Sequence, residues 1–388
     1  MARALYIHWP FCASKCPYCD FNSHVRAEID IDAWRDGLLA DLRHEARQAS
    51  RVNGAAEALT SIFFGGGTPS LMPPALVGDL LAEAERLWGF APGIEITLEA
   101  NPTSFEAGRF ASFAAAGINR LSIGVQSFDP QALAFLGRTH SVNTAERVLG
   151  EAQKLFGRVT FDLIYALPDQ APEAWAKELR HALAFGTEHL SLYQLTIEPN
   201  TRFATDVRRE VFTPMDNDFA ADLYAVTQEL TEAAGLPAYE ISNHARPGEE
   251  SRHNLAYWRY QDYCGIGPGA HGRRGGIATR RVRKPENWIT AIQRQAHGVD
   301  WTHTLSRAEA ATEALLMGLR LAEGIDPAAL AARFGLAEAE LLDRRRVDLY
   351  RELGFIWQRE ERLGVTAAGM PVLDTVLGEL VPVKLAAG

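Results

Sequence analysis

Short apolar, β-prone runs alternate through the first half of the chain with longer stretches whose apolar residues recur at helical spacing. Residues 4–9 predict a strand. Residues 31–49, with Trp34, Leu38, Leu39 and Leu42 on one face, predict a helix. The alternation continues with strands at 61–64, 95–99, 120–125, 159–166 and 189–197, and helices at 74–88, 105–116, 143–155 and 173–185 between them. Repeated strand–helix units imply parallel strands with helices outside. Right-handed crossovers curl such a sheet toward a barrel or an open doubly wound sheet, and periodicity alone does not choose between them.

The polar residues help to choose. They gather where strands end: a cysteine loop after the first, Gly65-Gly66-Gly67 after the second, Glu99-Ala100-Asn101-Pro102 closing the third, and Gln126-Ser127 after the fourth, with Asp162 on the fifth. Chemistry at the carboxyl ends of successive strands suits a barrel. Beyond about residue 204 the pattern changes. A helix is expected at 219–234, a strand at 239–243, loops to about 285, and helices at 308–322, 327–334 and 338–353. Residues 363–369 read as the strand and turn of a small winged-helix-like module.

The 388 residues suffice for one large and one smaller domain. Hydrophobic content of 47% and charged content of 23% are those of a globular protein. No apolar run reaches the ~20 residues of a membrane helix, and the chain enters its first strand without a signal peptide. The expectation is a cytoplasmic protein whose contact with a membrane, if any, runs through a partner. A net charge of −10 weakens a nucleic-acid partner. The basic stretch Arg273-Arg274 to Arg280-Arg281-Val282-Arg283-Lys284 reads as a solvated face, or as a site for carboxylates through arginine forks.

Cys12, Cys16 and Cys19 form a C-x3-C-x2-C loop. Three thiolates this close can hold three corners of a [4Fe–4S] cluster and leave the fourth iron open. Two other readings stand beside it. A disulfide strands the third thiol. Zinc held by the three cysteines with His8 or His24 is a chemically sound tetrahedron. Cys264 reads as a buried free thiol, or as a fourth ligand.

The loop and its surroundings, Tyr6-Ile7-His8-Trp9-Pro10-Phe11-Cys12 through Cys19-Asp20-Phe21, resemble the radical S-adenosylmethionine (SAM) superfamily. Within it they resemble the branch of oxygen-independent coproporphyrinogen III dehydrogenase and the HemW heme chaperones. The resemblance implies a partial (β/α)6 barrel with a mainly α C-terminal region. It divides the chain into a barrel core at 1–204, a barrel-completing and heme-binding region at 205–300, and a C-terminal domain at 301–388. It also implies SAM contacts from Gly66, Gly67, Thr68, Glu99, Gln126, Arg138 and Asp162. Tyr18, Ile164 and Thr196 flank adenine, and Tyr6 lies near SAM and cluster.

Ser251-Arg252-His253-Asn254-Leu255-Ala256-Tyr257-Trp258 matches the H-N-x-x-Y-W signature of HemW-like proteins. The match implies heme contact through His253, Asn254, Tyr257 and Trp258, with the His253 imidazole on iron. The competing reading is a loop-fixing His-Asn pair with Tyr257 and Trp258 packed in the core. His271, after Gly265-Ile266-Gly267-Pro268-Gly269-Ala270, is a second heme candidate on a loop near the SAM end.

Three features favour a heme chaperone over the dehydrogenase. Phe21 stands where the dehydrogenase has a further cysteine, few residues precede Cys12, and H-N-x-x-Y-W is present. A radical methyltransferase acting on a tetrapyrrole is the third reading. The implied partners are heme, acceptor apo-hemoproteins such as respiratory cytochromes, and an electron donor for the cluster, acting on a monomer or homodimer.

Overall fold

The computed structural model describes residues 2–53 and 58–382. Its main element is one sheet. The strands are β1 (Ala2–Trp9), β2 (Leu59–Gly66), β3 (Phe90–Ala100), β4 (Arg120–Gln126), β5 (Arg158–Tyr165), β6 (His189–Gln194), β7 (Asn243–Ala245), β8 (Asp262–Ile266), β9 (His271–Arg274), β10 (Ile277–Arg281) and β11 (Val299–Thr304). Their order is β11-β10-β9-β8-β1-β2-β3-β4-β5-β6-β7. Strands β1 to β6 are parallel neighbours, as the strand–helix repeat requires. The sheet does not close: β7 ends it at one side and the antiparallel β9–β11 at the other.

Alternation along the parallel strands sorts the side chains. Leu5, Ile7, Trp9, Ile62, Phe64, Leu98, Leu121, Ile123, Phe161 and Leu163 join the large core with helices such as Ile31–Asn53 and Pro74–Trp88. The intervening positions are polar and meet one another across the strands. Arg158 reaches Glu95 at 2.5 Å, Arg120 reaches Thr97 at 3.5 Å, and Thr160 meets His189 at 2.7 Å. A second core, around Leu315, Leu341, Val347, Leu363 and Val376, holds C-terminal helices over the hairpin Ile356–Arg359 and Arg362–Val365. Met1, residues 54–57 and residues 383–388 of the expected domains lie outside the described residues.

Several expectations are corrected. The 244–285 stretch contains helix Arg252–Trp258 and strands β8, β9 and β10, with β8 parallel to β1. Its glycines and arginines disguised it, because the arginine charges are neutralised only by residues distant in sequence. The expected strand at 239–243 is a turn, closed by the Tyr239 N–H donating to the Asn243 carbonyl at 3.1 Å, and the strand starts at Asn243. The helix expected at 105–116 breaks before Phe110, where Arg109 turns aside to the carbonyls of Ser70 and Met72. The helix expected at 338–353 restarts at Arg344, capped by Asp343.

Candidate cofactor site

Cys12 ends the first of two short strands that pair in parallel, Phe11–Cys12 and His24–Val25, and Cys16 and Cys19 lie on the loop between them. Backbone bonds tie this loop to the end of β2: Gly67 N–H to the Trp9 carbonyl at 2.7 Å, and Thr68 N–H to Phe11 at 2.8 Å. A Cβ on Gly67 would stand 2.7 Å from the Phe11 oxygen and 3.0 Å from Cys12 Sγ. One on Gly66, whose φ is +116°, would stand 2.6 Å from the His8 ring. The glycine run is therefore fitted first to the cysteine loop itself.

Asn22 fastens the other side of the loop. Its Nδ2 donates to the carbonyls of Pro268 and Arg283, both at 2.9 Å, and its own carbonyl meets His8 Nε2 at 2.9 Å. Gly269, at φ +77°, leaves room for it: a Cβ there would lie 2.6 Å from Asn22 Nδ2. The 267–270 turn thus packs against the cysteine loop, but the rest of the expected 265–272 loop is strand: Gly265 and Ile266 end β8, and His271 begins β9.

A cavity of about 450 Å³ opens beside the loop, walled by Cys12, Cys16 and Cys19 and by the carboxyl ends of the parallel strands. It collects Tyr18, Gly66, Gly67, Thr68, Glu99, Gln126, Arg138, Asp162, Ile164 and Thr196. Tyr6 stands behind this wall, its hydroxyl 3.0 Å from His8 Nδ1. Among the described residues, no three His, Cys, Asp or Glu side chains converge on a single ion's position, and no disulfide forms.

Arg138 joins the thiols to the polar wall. It donates to Cys16 Sγ at 3.4 Å, to Asn101 Oδ1 at 2.6 Å and to the Gly124 carbonyl at 2.8 Å. Thr68 donates to Cys12 Sγ at 3.4 Å and accepts from Asn101 Nδ2 at 3.1 Å. Asn101 is thus a hub that the sequence reading passed over, although it stands two residues after Glu99. Tyr193 and Ser122 also line the cavity and were not foreseen. Gln126 has φ of 72°, a strain of about 1–3 kcal/mol for a residue with a Cβ, and it lines the cavity from the end of β4.

Two carboxyls face each other electrostatically. Burial, and then the charge of Asp162, push Glu99 up to about 8. Burial pushes Asp162 up to about 6, against hydrogen bonding from Ser191. At neutral pH Glu99 is therefore mostly protonated and can donate a hydrogen bond. Burial also raises the thiols of Cys12 and Cys19.

None of His253, Asn254, Tyr257 and Trp258 lines this cavity. His253 is 1% exposed on helix Arg252–Trp258. Both ring nitrogens are engaged, Nδ1 with Ser61 Oγ at 3.0 Å and Nε2 with the Tyr257 hydroxyl at 2.8 Å, and its ring stacks on Phe63. Asn254 donates to the Tyr239 hydroxyl at 3.3 Å, and Trp258 packs in a small cluster with Tyr239, Ala245 and Leu321. A heme iron at His253 needs a free ring nitrogen with open space before it. This arrangement supplies neither, so these residues do not fit heme here.

Cys264 is fully buried on β8, beside Glu45 and away from the cavity. The basic stretch is not one solvated face. Arg273, Arg274 and Arg281 are buried: Arg274 meets Glu45 at 3.2 Å, Arg281 meets Asp41 at 3.4 Å, and Arg273 lies 3.4 Å from the centre of the Tyr260 ring.

Comparison with known proteins identifies the family. Residues 6–182 match the Radical SAM superfamily model, and residues 305–372 match the HemN C-terminal domain. The chain is 37% identical over 381 residues to heme chaperone HemW of Escherichia coli (strain K12), covering 96% of this chain and 97% of that one. It is 43% identical over 331 residues to the mitochondrial radical S-adenosyl methionine domain-containing protein 1 of Mus musculus, covering 83% and 74%. The solved structure of the coproporphyrinogen III oxidase HemN from Escherichia coli superposes with a TM-score of 0.82 at 22% identity, covering 97% and 89%, and so shares the fold. Among the described residues no helix is long and apolar enough to cross a membrane. The chain belongs to the radical SAM superfamily and, within it, to the family of the HemW proteins.

Proposed function

We propose that this protein is a heme chaperone of the HemW type, holding a [4Fe–4S] cluster on Cys12, Cys16 and Cys19 and SAM in the adjoining cavity. The observation that carries the reading is the convergence of three thiols, Arg138, Asn101 and Glu99 on one cavity at the carboxyl ends of parallel strands. When bound, a cluster with one open iron supplies a coordination position for SAM and an electron to it.

The chain's own residues do the rest. The Arg138 guanidinium donates to Cys16 Sγ and offers its fork to a carboxylate. Gln126 and Asp162 suit ribose hydroxyls, and Glu99 in its protonated form donates. Tyr18, Ile164 and Thr196 provide an apolar berth for adenine, and Tyr6 supports the wall from behind. The family supplies the heme: relatives of 34–43% identity carry the name heme chaperone HemW. Acceptors are apo-hemoproteins such as respiratory cytochromes, a separate donor reduces the cluster, and the setting is the cytoplasm.

The test is anaerobic purification, cluster reconstitution, and incubation with hemin, or with coproporphyrinogen III, SAM and a reductant. Stoichiometric hemin binding without decarboxylation is expected. Rapid formation of protoporphyrinogen overturns the reading in favour of the dehydrogenase.

A further inference from the structure

One group of side chains outside the cavity is left unused by this reading. Strands β9, β10 and β11 form the antiparallel end of the sheet, and their register sets His271 opposite Arg280 and Arg280 opposite Trp301. Directly opposed residues share a face, so the three side chains form a row across the strands. The other face of these strands is the buried one, carrying Arg274 and Arg281 onto Glu45 and Asp41.

The row is open to solvent. His271 is exposed, Trp301 is 42% exposed, and Arg280 lies 5.9 Å from the centre of the Trp301 ring. Arg280 also meets Asp300 at 3.4 Å, a solvent-facing pair worth little and easily exchanged. Arg283 is exposed and stands close enough to His271 and to His24 to depress both. Along β9 the row is flanked on one side by Arg273, which lies over the Tyr260 ring. On the other side, before His271, lies the turn that Asn22 ties to the cysteine loop.

These groups match one chemistry. An imidazole ligates iron, an indole covers a flat apolar macrocycle, and guanidinium forks take carboxylates. Partial desolvation, then the charges of Arg280, Arg283 and Arg281, lower His271 from the ordinary histidine value against Asp300, which favours the neutral ring and its lone pair. We propose that heme docks flat on this row, with His271 as its axial ligand and Arg280 and Arg283 paired to its propionates, and that His253 instead fastens the interior of the sheet. This rests on the heme-chaperone reading above.

Hemin titration of the full-length protein, followed by the position and intensity of the Soret band, tests it. His271→Ala is expected to lower hemin affinity at least about tenfold and to move the Soret band toward that of free hemin. An Arg280→Ala, Arg283→Ala double variant is expected to weaken binding with the Soret position unchanged. His253→Gln, whose amide can still pair with Ser61 and Tyr257, is expected to keep the wild-type spectrum. The proposal is overturned if His271→Ala binds hemin like the wild type, or if His253→Gln loses the Soret band while melting normally. If the wild type binds no hemin, the heme-chaperone reading falls as well. Binding that is indifferent to His271 sinks this site alone.

Discussion

The guanidinium of Arg281, fully buried on β10, meets the carboxylate of Glu45 on helix Ile31–Asn53. Arg274 approaches the same carboxylate at 3.2 Å. Burial works to raise the Glu45 carboxyl, and the two arginines overcome it and hold it below the usual range. A carboxyl depressed in the folded state stabilises above its unfolded pKa, and that contribution is lost as pH falls through the folded value. Glu45→Ala leaves two buried cations short of a partner, so a loss of about 3–5 kcal/mol is expected. Denaturant unfolding at neutral pH measures it. A change within experimental error removes the ion cluster as a structural element.

Asn22→Ala should loosen the cysteine loop while sparing the sheet. It removes two donated hydrogen bonds, about 1–3 kcal/mol together. Iron content after anaerobic reconstitution is expected to fall, with the far-UV circular dichroism unchanged. Full iron content would show that the loop holds its shape without this tie.

Glu99 gives stability a pH dependence of known sign. The folded carboxyl titrates near 8 and the unfolded one near its ordinary value of 4.5. The folded state binds more protons between these limits, so stability declines as pH rises through that window. Glu99→Gln removes the titration. It is expected to melt higher than the wild type at pH 8, by on the order of 1–3 kcal/mol, with the gap narrowing toward pH 5. Parallel melting curves across this range would contradict the buried, protonated state.

Cysteine variants separate the loop from the distant thiol. Single replacement of Cys12, Cys16 or Cys19 by Ser is expected to abolish the broad visible absorption of the reconstituted cluster. Cys264→Ser is expected to retain it with full iron content, because this side chain sits beside Glu45 and not in the cavity. Loss of iron in Cys264→Ser would make it a fourth ligand and close the open iron position.

Much of the site was legible because its residues follow strands whose period-2 and helical patterns are strong. Cys12, Glu99, Gln126 and Asp162 each sit on or next to such a run. The outer strands were hidden for a physical reason. Arg274 and Arg281 look like surface residues until Asp41 and Glu45, more than two hundred positions earlier, are placed against them. His253 shows the opposite limit. A motif announces a histidine, but only three dimensions show that Ser61 and Tyr257 occupy both of its nitrogens.

The first strand lies inside the sheet, with β2 on one side and β8, from residues 262–266, on the other. Contacts so distant along the chain slow folding and form late. During synthesis, the thiol loop emerges early yet lacks its permanent seat until Pro268 and Arg283 have left the ribosome. Assembly machinery would therefore meet a polypeptide extended past Arg283 when it loads iron and sulfide, and a ribosome stalled before that point would present bare, unsupported thiols.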